Sequence, residues 1–310
     1  MDKAHRATQS IASGLVLAIL GAVAFSGKAI IVKLAYRYGV DAVTLIMYRM
    51  LFALPFFLGI VWWTRRTRNA QGAWVRAEPL TVKDRLGVVW LGVTGYYLAS
   101  FLDFAGLQYI SASLERLVLY LNPTLVLLLG LVLYRRHISR RQAVGMAISY
   151  SGVLLVFGHE VTLQGPDVAL GALLVFGSAV SYAIYLSYSG QLVQRLGSLR
   201  LVGLATSVAC VLCIGQFVLL RPLDVALTVA PEVIWLSMVN ATLCTVVPVL
   251  MVMMAIERIG SGLAAQVGMV GPMSTLVMGV LVLGEPFTVW IVAGTVLVLA
   301  GVFVVSRAKS

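Results

Sequence analysis

The chain has 310 residues, of which 60% are hydrophobic and only 11% are charged. A soluble domain carries about 25% charged residues, and so apolar a chain could not cover a water-exposed surface. The composition therefore excludes an ordinary soluble domain and predicts an all-α integral membrane protein. The net charge of +11 is compatible with nucleic-acid binding, and the placement of the basic residues decides that question.

Ten segments have the length of about 20 apolar residues that crosses a bilayer. In chain order they are 11–34, 43–62, 86–106, 111–134, 140–158, 168–189, 201–220, 233–254, 261–283 and 287–306. The turns within the pairs 86–106/111–134 and 261–283/287–306 are short, so these boundaries are the hardest to place. The first segment is too long for the core of a signal peptide, and we expect the protein to retain it.

The basic residues cluster on one side of these spans. If the N-terminus is cytoplasmic, seventeen of the 23 Lys and Arg residues fall in cytoplasmic segments, three in outer segments and three within spans. This bias predicts that both termini are cytoplasmic. Because topology and anionic lipid then explain the charge, we expect membrane lipid as a partner and no nucleic acid. The three cysteines lie inside apolar segments and the three histidines in tails or loops, so we expect no metal, cofactor or catalytic centre.

The chain also contains an internal repeat. Residues 107–158 align without a gap on residues 256–307, at an offset of 149. The matched positions include Pro123 with Pro272, Gly145 with Gly294 and Gly152 with Gly301. A weaker match sets Gly14 against Gly171, and chance among apolar residues explains that one equally well. Each copy has five spans, an odd number, so the second copy (161–310) enters the membrane opposite to the first (1–160). Such five-plus-five inverted repeats are typical of secondary transporters.

Three motifs carry a resemblance to a known family. They are the helix SASLERLVLYLNPTLVLLLGLVL, the turn LGEPFT and the glycine-spaced helix GTVLVLAG. Together they resemble the EamA-type exporters of the drug/metabolite transporter superfamily, over nearly the whole chain. The resemblance implies ten helices and export of small metabolites across a bacterial inner membrane, with YddG-like amino-acid exporters most similar in layout. The first-half turn departs from the family pattern, with Arg135, Arg136 and His137 where a Gly-Glu pair is common.

Five charged residues lie inside the predicted spans, at comparable depth in the outer third of the bilayer: Lys28, Arg49, Asp103, Glu115 and Arg116. Such charges are costly in hydrocarbon, so we expect them to pair or to face a wet cavity. Asp103 and Arg116 flank one short turn and are expected to pair. Two interpretations remain open. The cluster is either a structural salt-bridge network or an outer vestibule for a zwitterionic substrate, with Asp103 or Glu115 as a carrier of a coupling proton.

Polar and aromatic side chains nearer mid-membrane form a second set of cavity candidates. They are Tyr96, Tyr120, Asn122, Tyr182, Tyr185, Asn240, Gln266 and Met269. Transporter cavities are mostly apolar or aromatic with a few placed polar groups. The family resemblance implies a central cavity lined by helices 1, 3, 4, 6, 8 and 9, which favours Tyr96, Tyr185 and Gln266. Ordinary interhelical hydrogen bonding and aromatic packing explain any single member equally well.

Two prolines related by the repeat are candidates for gating. Pro123 removes the helix hydrogen bond to Leu119, and Pro272 removes the one to Gly268. Breaks of this kind are tolerated where a helix packs against protein or lines a cavity. The kinked helices are therefore predicted to act as gates, and a static kink that only shapes packing is the alternative.

Other classes of protein fit the sequence less well. An integral-membrane enzyme would need clustered Asp, His or Cys residues at the membrane surface, and the sequence has no P-loop for ATP hydrolysis. A sugar-phosphate or nucleotide-sugar exchanger would need a denser basic site, and a scaffold or channel subunit would not need two inverted halves. The sequence leaves open the substrate, the direction of flux, proton coupling and the oligomeric state, for which a monomer is sufficient.

Overall fold

Long apolar helices make up most of the computed structural model, which describes residues 2–68, 74–76, 78–135, 137–268 and 270–307. The helices are α1 (Asp2–Tyr36), α2 (Ala42–Trp63), α3 (Val82–Gly106), α4 (Ala112–Leu119), α5 (Asn122–Tyr134), α6 (Arg140–Gln164), α7 (Asp167–Leu196), α8 (Ser198–Leu220), α9 (Leu223–Thr228), α10 (Pro231–Ala241, Thr242–Val246 and Val247–Gly268 in succession), α11 (Val270–Leu283) and α12 (Val289–Arg307). Two short antiparallel strands, β1 (Arg66–Arg68) and β2 (Trp74–Arg76), lie between α2 and α3.

Within the described residues, nine helical stretches have the length and hydropathy to cross a membrane. They match nine of the ten predicted spans, which confirms the all-helical membrane class. The tenth predicted span, 261–283, contains Met269, which lies outside the described residues. On either side of it, the helix Val247–Gly268 and the shorter apolar stretch Val270–Leu283 are described.

Local sequence explains where most helices begin and end. Asp41 caps α2 by accepting hydrogen bonds from the amides of Val43 and Thr44. Although burial acts to raise the pKa of Asp41, hydrogen bonds from Thr44 and Arg221 hold it below its usual value.

At their C-terminal ends, α6 and α7 extend beyond the predicted limits of 158 and 189. They stop at Gly165 (φ 96°) and Gly197 (φ 81°), whose left-handed backbone favours glycine.

The glycine-spaced helices α6 and α12 pack with their backbones almost in contact. A Cβ atom added to Gly152 would lie 2.7 Å from the carbonyl oxygen of Gly294, and one added to Gly145 would lie 2.8 Å from that of Gly301. Between these two contacts, Ser149 Oγ approaches the Val298 carbonyl at 3.5 Å. Small residues allow this close approach, which maximises van der Waals contact between membrane helices.

Two long helices contain π-helical turns near mid-length. In α3 the turn covers Gly92–Leu98, and in α10 it covers Thr242–Val246. The repeat offset of 149 residues brings these two turns into register. π-Turns expose backbone groups and redirect side chains, and they are frequent at functional sites. Here they carry Tyr96 and Thr245, which occupy equivalent positions in the two halves.

The α6–α12 contact can be tested with a single methyl group. We expect Gly152→Ala to destabilise the protein by about 1–3 kcal/mol, because the new Cβ would overlap the Gly294 carbonyl. The measurement is the unfolding temperature of the purified protein in detergent. Gly158→Ala is the matched control, since it lies on the same helix with nothing within 4 Å of an added Cβ. Equal unfolding temperatures for the two variants would contradict the packing argument.

Candidate functional site

Lys28 lies between two buried carboxylates. Its Nζ is 2.5 Å from Asp103 Oδ2 and 3.2 Å from Glu115 Oε1. The three residues come from α1, α3 and α4, and none is more than 6% exposed. In so apolar a surrounding an ion pair is screened little, so breaking it would leave an uncompensated buried charge. This ion-pair triad joins three helices that are separate in sequence.

Arg49 lies beside the triad on α2, with 5% of its surface exposed. Its Nε donates to Thr245 Oγ1 at 3.1 Å, and its guanidinium lies 5.1 Å from the centre of the Phe104 ring. The hydroxyl that it meets belongs to the π-turn of α10. Arg49 therefore connects the charged cluster to the second half of the chain.

Arg116 does not pair with Asp103, so that prediction was wrong. Its Nε instead donates to Thr275 Oγ1 of α11 at 3.0 Å, and its guanidinium lies 5.5 Å from the Phe25 ring. Consecutive helix positions point about 100° apart, so Arg116 faces α11 while Glu115 faces Lys28. The shortness of the turn from α3 to α4 brings the backbones of Asp103 and Arg116 close without aligning their side chains.

Several polar atoms of the cluster have no hydrogen-bond partner within the described ranges. They are Arg49 Nη1, Asp103 Oδ1, Glu115 Oε2 and Arg116 Nη2. Buried polar groups are nearly always hydrogen-bonded, and the exceptions are often functional. The cluster therefore offers free acceptors and free donors from groups of opposite charge, all withdrawn from the surface.

A tyrosine cluster lies across α3 and α7. The hydroxyls of Tyr96 and Tyr185 are 3.2 Å apart, and the ring of Tyr182 stacks on Tyr185 with centroids 5.4 Å apart. A Cβ added to Gly95 would lie 2.4 Å from the Tyr185 ring, so only glycine lets the helices approach here. The structure thus brings together three of the aromatic candidates from two predicted segments, 86–106 and 168–189.

At Pro123, the peptide carbonyl that loses its helix partner finds a substitute. The helix stops at Leu119 and resumes at Asn122, and the side-chain Nδ2 of Asn122 donates to the Leu119 carbonyl at 2.7 Å. Asn122 therefore repairs the break that Pro123 creates. The sequence identified Asn122 and Pro123, but not this hydrogen bond from Asn122 to Leu119.

The break at Pro272 is repaired from the other half of the chain. Pro272 deprives the Gly268 carbonyl of its helix partner, and Tyr120 donates its hydroxyl proton to that carbonyl at 2.7 Å. Tyr120 itself lies in the interruption between α4 and α5. The two proline breaks thus contact each other through one side chain.

The sequence analysis missed a carboxylate clamp on the first turn of α4. Glu285 accepts hydrogen bonds from the amide of Ala112 at 2.7 Å and from the hydroxyl of Ser113 at 2.8 Å. Glu160 accepts from the amide and the hydroxyl of Ser111. Negative groups are favoured at a helix N-terminus, where the backbone amides are free. The signal for Glu285 was its place in LGEPFT, whereas Glu160 had been assigned to a loop.

The remaining cavity candidates are Asn240, Gln266 and Met269. Asn240 is 1% exposed, and its carbonyl accepts from Thr245 Oγ1 at 2.9 Å. Met269 lies outside the described residues, as does the side chain of Gln266. For the cavity set, the structure therefore places six of the eight side chains.

Comparison with known proteins identifies a family over almost the whole chain. The model of the EamA-like transporter family matches residues 12–158 and 169–307. The two matched ranges correspond to the two halves of the chain.

Individual relatives agree with this result. The uncharacterized transporter YcbK of Bacillus subtilis is 29% identical over 281 residues, covering 88% of this chain and 86% of its own length. An uncharacterized transporter of Archaeoglobus fulgidus is 28% identical over 236 residues, covering 73% of this chain and 79% of its own. One crystal structure has a TM-score of 0.59 with 16% identity, covering 94% of this chain and 96% of that chain; this likeness shows the fold alone.

The triad can be tested by removing its cation. We expect Lys28→Met to destabilise the protein by about 3–5 kcal/mol, because it leaves Asp103 and Glu115 buried without their ammonium partner. The unfolding temperature of purified protein in detergent measures this effect. Lys83→Met, at an exposed position, is the control and should leave it unchanged. If the two variants unfold at the same temperature, the triad does not stabilise the bundle.

Proposed function

Because the chain belongs to the EamA-like transporter family and is thus a multi-pass membrane transporter, we propose that it exports small polar metabolites, with amino acids as the substrate class. Transport would cross the bacterial inner membrane by alternating access, with both termini in the cytoplasm. The observation that carries this proposal is the buried cluster around Lys28, which presents unpartnered groups of both signs.

An amino acid carries the two groups that such a site can bind. Its ammonium needs acceptors of the kind offered by Glu115 Oε2 and Asp103 Oδ1. Its carboxylate needs donors of the kind offered by Arg49 Nη1 and Arg116 Nη2, and guanidinium groups are well suited to a carboxylate. The stacked rings of the tyrosine cluster offer an apolar wall for the rest of the molecule.

Alternating access needs two halves that can exchange roles, and the helix contacts support such a pair. Gly14 of α1 lies against Ile259, and Gly171 of α7 lies against Ile110. In the repeat, Gly14 corresponds to Gly171 at an offset of 157, and Ile110 corresponds to Ile259 at an offset of 149. The two contacts are therefore equivalent.

The same operation relates a second pair of contacts. Gly21 approaches the carbonyl of Pro248, and Ser178 donates to that of Ala99. Ser149 and Val298, which are equivalent to each other, meet directly at 3.5 Å. A pseudo-two-fold axis between α6 and α12 accounts for all of these contacts. They support the repeats 1–160 and 161–310. They also favour a true repeat over chance for the weaker match at Gly14.

The contacts of α1 also support a tenth crossing. Gly27 lies against Cys244, Gly14 against Ile259, and Ser26 against Gly271. Gly14 and Gly27 are about 20 Å apart along the helix axis. A chain that goes from Cys244 past Ile259 to Gly271 must therefore reverse its direction between Ile259 and Gly271, so α10, although helical to Gly268, is not one straight helix. Ten crossings would place both termini on one side, as the distribution of Lys and Arg predicts.

Two other functions compete with amino-acid export. A sugar-phosphate or nucleotide-sugar exchanger is disfavoured because two of the five charges at the site are carboxylates, which repel a phosphate. A scaffold or channel subunit does not require symmetric halves or buried groups without partners.

Transport by the purified protein in liposomes tests the proposal. We expect saturable flux of at least one member of a panel of radiolabelled amino acids, because the number of binding sites limits the rate at high substrate concentration. Sugar phosphates and nucleotide sugars, tested in the same vesicles, should give no flux above protein-free liposomes. Flux of a phosphorylated compound alone, or of none of the panel, would contradict the proposed substrate class.

The contact between the two proline breaks leads to a prediction for gating. We expect the double variant Pro123→Ala/Pro272→Ala to transport several-fold more slowly while remaining folded, because restoring both helix hydrogen bonds would stiffen the hinges. The initial rate in liposomes is the measurement. Pro55→Ala is the matched control, since Pro55 lies inside the continuous helix α2 at an exposed position outside the cluster. Equal rates for the double variant and the unmodified protein would contradict a gating role.

A further inference from the structure

The two carboxyl groups of the triad are neighbours around one ammonium. Asp103 Oδ2 and Glu115 Oε1 both lie within 3.2 Å of the same nitrogen, that of Lys28. The other two oxygens, Asp103 Oδ1 and Glu115 Oε2, accept no hydrogen bond from the described residues. Ionised carboxylates only accept hydrogen bonds, so these two groups can bond to each other only when one of them holds a proton.

The surroundings supply one close cation for two acids. Across the described part of the chain, Lys28 is the cation within 4.0 Å of either carboxylate. Its shorter contact, 2.5 Å, is with Asp103, so its charge stabilises the Glu115 carboxylate less. Two like charges so close together at a buried site strongly disfavour ionisation of both groups. Glu115 is also 0% exposed, so water does not offset the cost of its charge.

The other charged and titratable groups near the triad do not provide a second close cation for the two acids. Arg49 on α2 attracts Asp103 electrostatically but donates to Thr245. Arg116, adjacent to Glu115, donates to Thr275 on α11. The remaining titratable groups that face the triad from packed elements are Tyr36 on α1 and Cys244 in the π-turn of α10. Both are neutral at physiological pH and add no cation.

We propose that Asp103 and Glu115 share a single exchangeable proton, and that this pair is the site through which a proton gradient drives transport. The proton arrives from water and leaves to water, while Lys28 stays an ammonium and no other bond changes. When the pair holds its proton, it carries one negative charge, which Lys28 balances. When the proton leaves, a second negative charge appears that an entering ammonium group can balance. Binding of the proton and binding of a cationic group are therefore mutually exclusive, which is the requirement for exchange.

The first half of this inference, the shared proton, is independent of the proposed function, and the second half, coupling, rests on it. The experiment therefore has two separate readouts. Infrared spectroscopy detects a protonated carboxyl group by its C=O stretch, which is distinct from the bands of a carboxylate and shifts in heavy water.

For the shared proton, we expect this band in the wild-type protein reconstituted in lipid at neutral pH. Glu115→Gln should remove it. Asp103→Asn should remove it as well, although Glu115 is still present, because the remaining carboxylate would have Lys28 to itself. Glu160→Gln is the matched control: it removes another buried carboxyl group and should leave the band. Absence of the band from the wild-type protein, or its persistence in both Glu115→Gln and Asp103→Asn, would overturn the proposal. The wild-type spectrum decides the matter even if a variant fails to fold.

For coupling, liposomes containing the protein are loaded with a uniformly ¹⁴C-labelled amino-acid hydrolysate. We expect an imposed pH gradient to change efflux by wild-type protein several-fold. Efflux by Glu115→Gln should be the same with the gradient as without it. Asp224→Asn, which removes an exposed carboxylate on α9, should respond to the gradient like the wild type. Wild-type efflux that is the same with and without the gradient would overturn coupling. If the hydrolysate is not transported at all, the proposed substrate class fails, and the infrared band still decides whether the proton is shared.

Discussion

The interaction on which the rest of the structure depends is the sharing of one ammonium, that of Lys28, by two buried carboxylates. Charges are costly inside an apolar bundle, so a chain that keeps them there must hold them together by its helices. Asp103, Glu115 and Lys28 come from three different helices and meet within 3.2 Å. Their mutual attraction fixes how α1, α3 and α4 are placed. The imbalance, with two acids and one close cation, also makes the cluster chemically responsive.

A second constraint comes from the proline breaks, and it links the cluster to movement. Tyr120, in the helix interruption of the first half, donates to the Gly268 carbonyl that Pro272 leaves without a helix partner in the second half. Ser26, two residues before Lys28, donates to the Gly271 carbonyl at 2.9 Å. The same turn of α1 thus contacts both the charged cluster and the break in the second half. A change of charge at the cluster would therefore occur next to the segment around Pro272, which is the proposed hinge.

Sequence patterns predicted the parts of this protein that depend on solvent and on covalent geometry. The apolar runs predicted nine spans that the structure contains, because a bilayer accepts only long apolar helices. Pro123 predicted a disturbed helix and a Leu119 carbonyl without its helix partner, because proline has no amide proton to donate, and the structure has its helix interruption beside it at residues 120–121. The pairing of Asp103 with Arg116 failed, since nearness along the chain does not determine the direction of two side chains. The clamp by Glu160 and Glu285 was missed because its partners are backbone amides, which carry no residue-specific signal.

By itself, the sequence determined the membrane class, nine of the membrane-crossing helices, the internal similarity at an offset of 149 residues and the five charges within the spans, since each follows from hydropathy, periodicity or spacing in a single chain. Only the tertiary structure decided which charges meet. Partners such as Lys28 and Glu115 are 87 residues apart, and their contact depends on how whole helices rotate and pack. The same reason applies to Tyr120 and Gly268, at a separation of 148 residues. Local sequence selects the groups that enter the membrane, and helix packing decides which of them face one another.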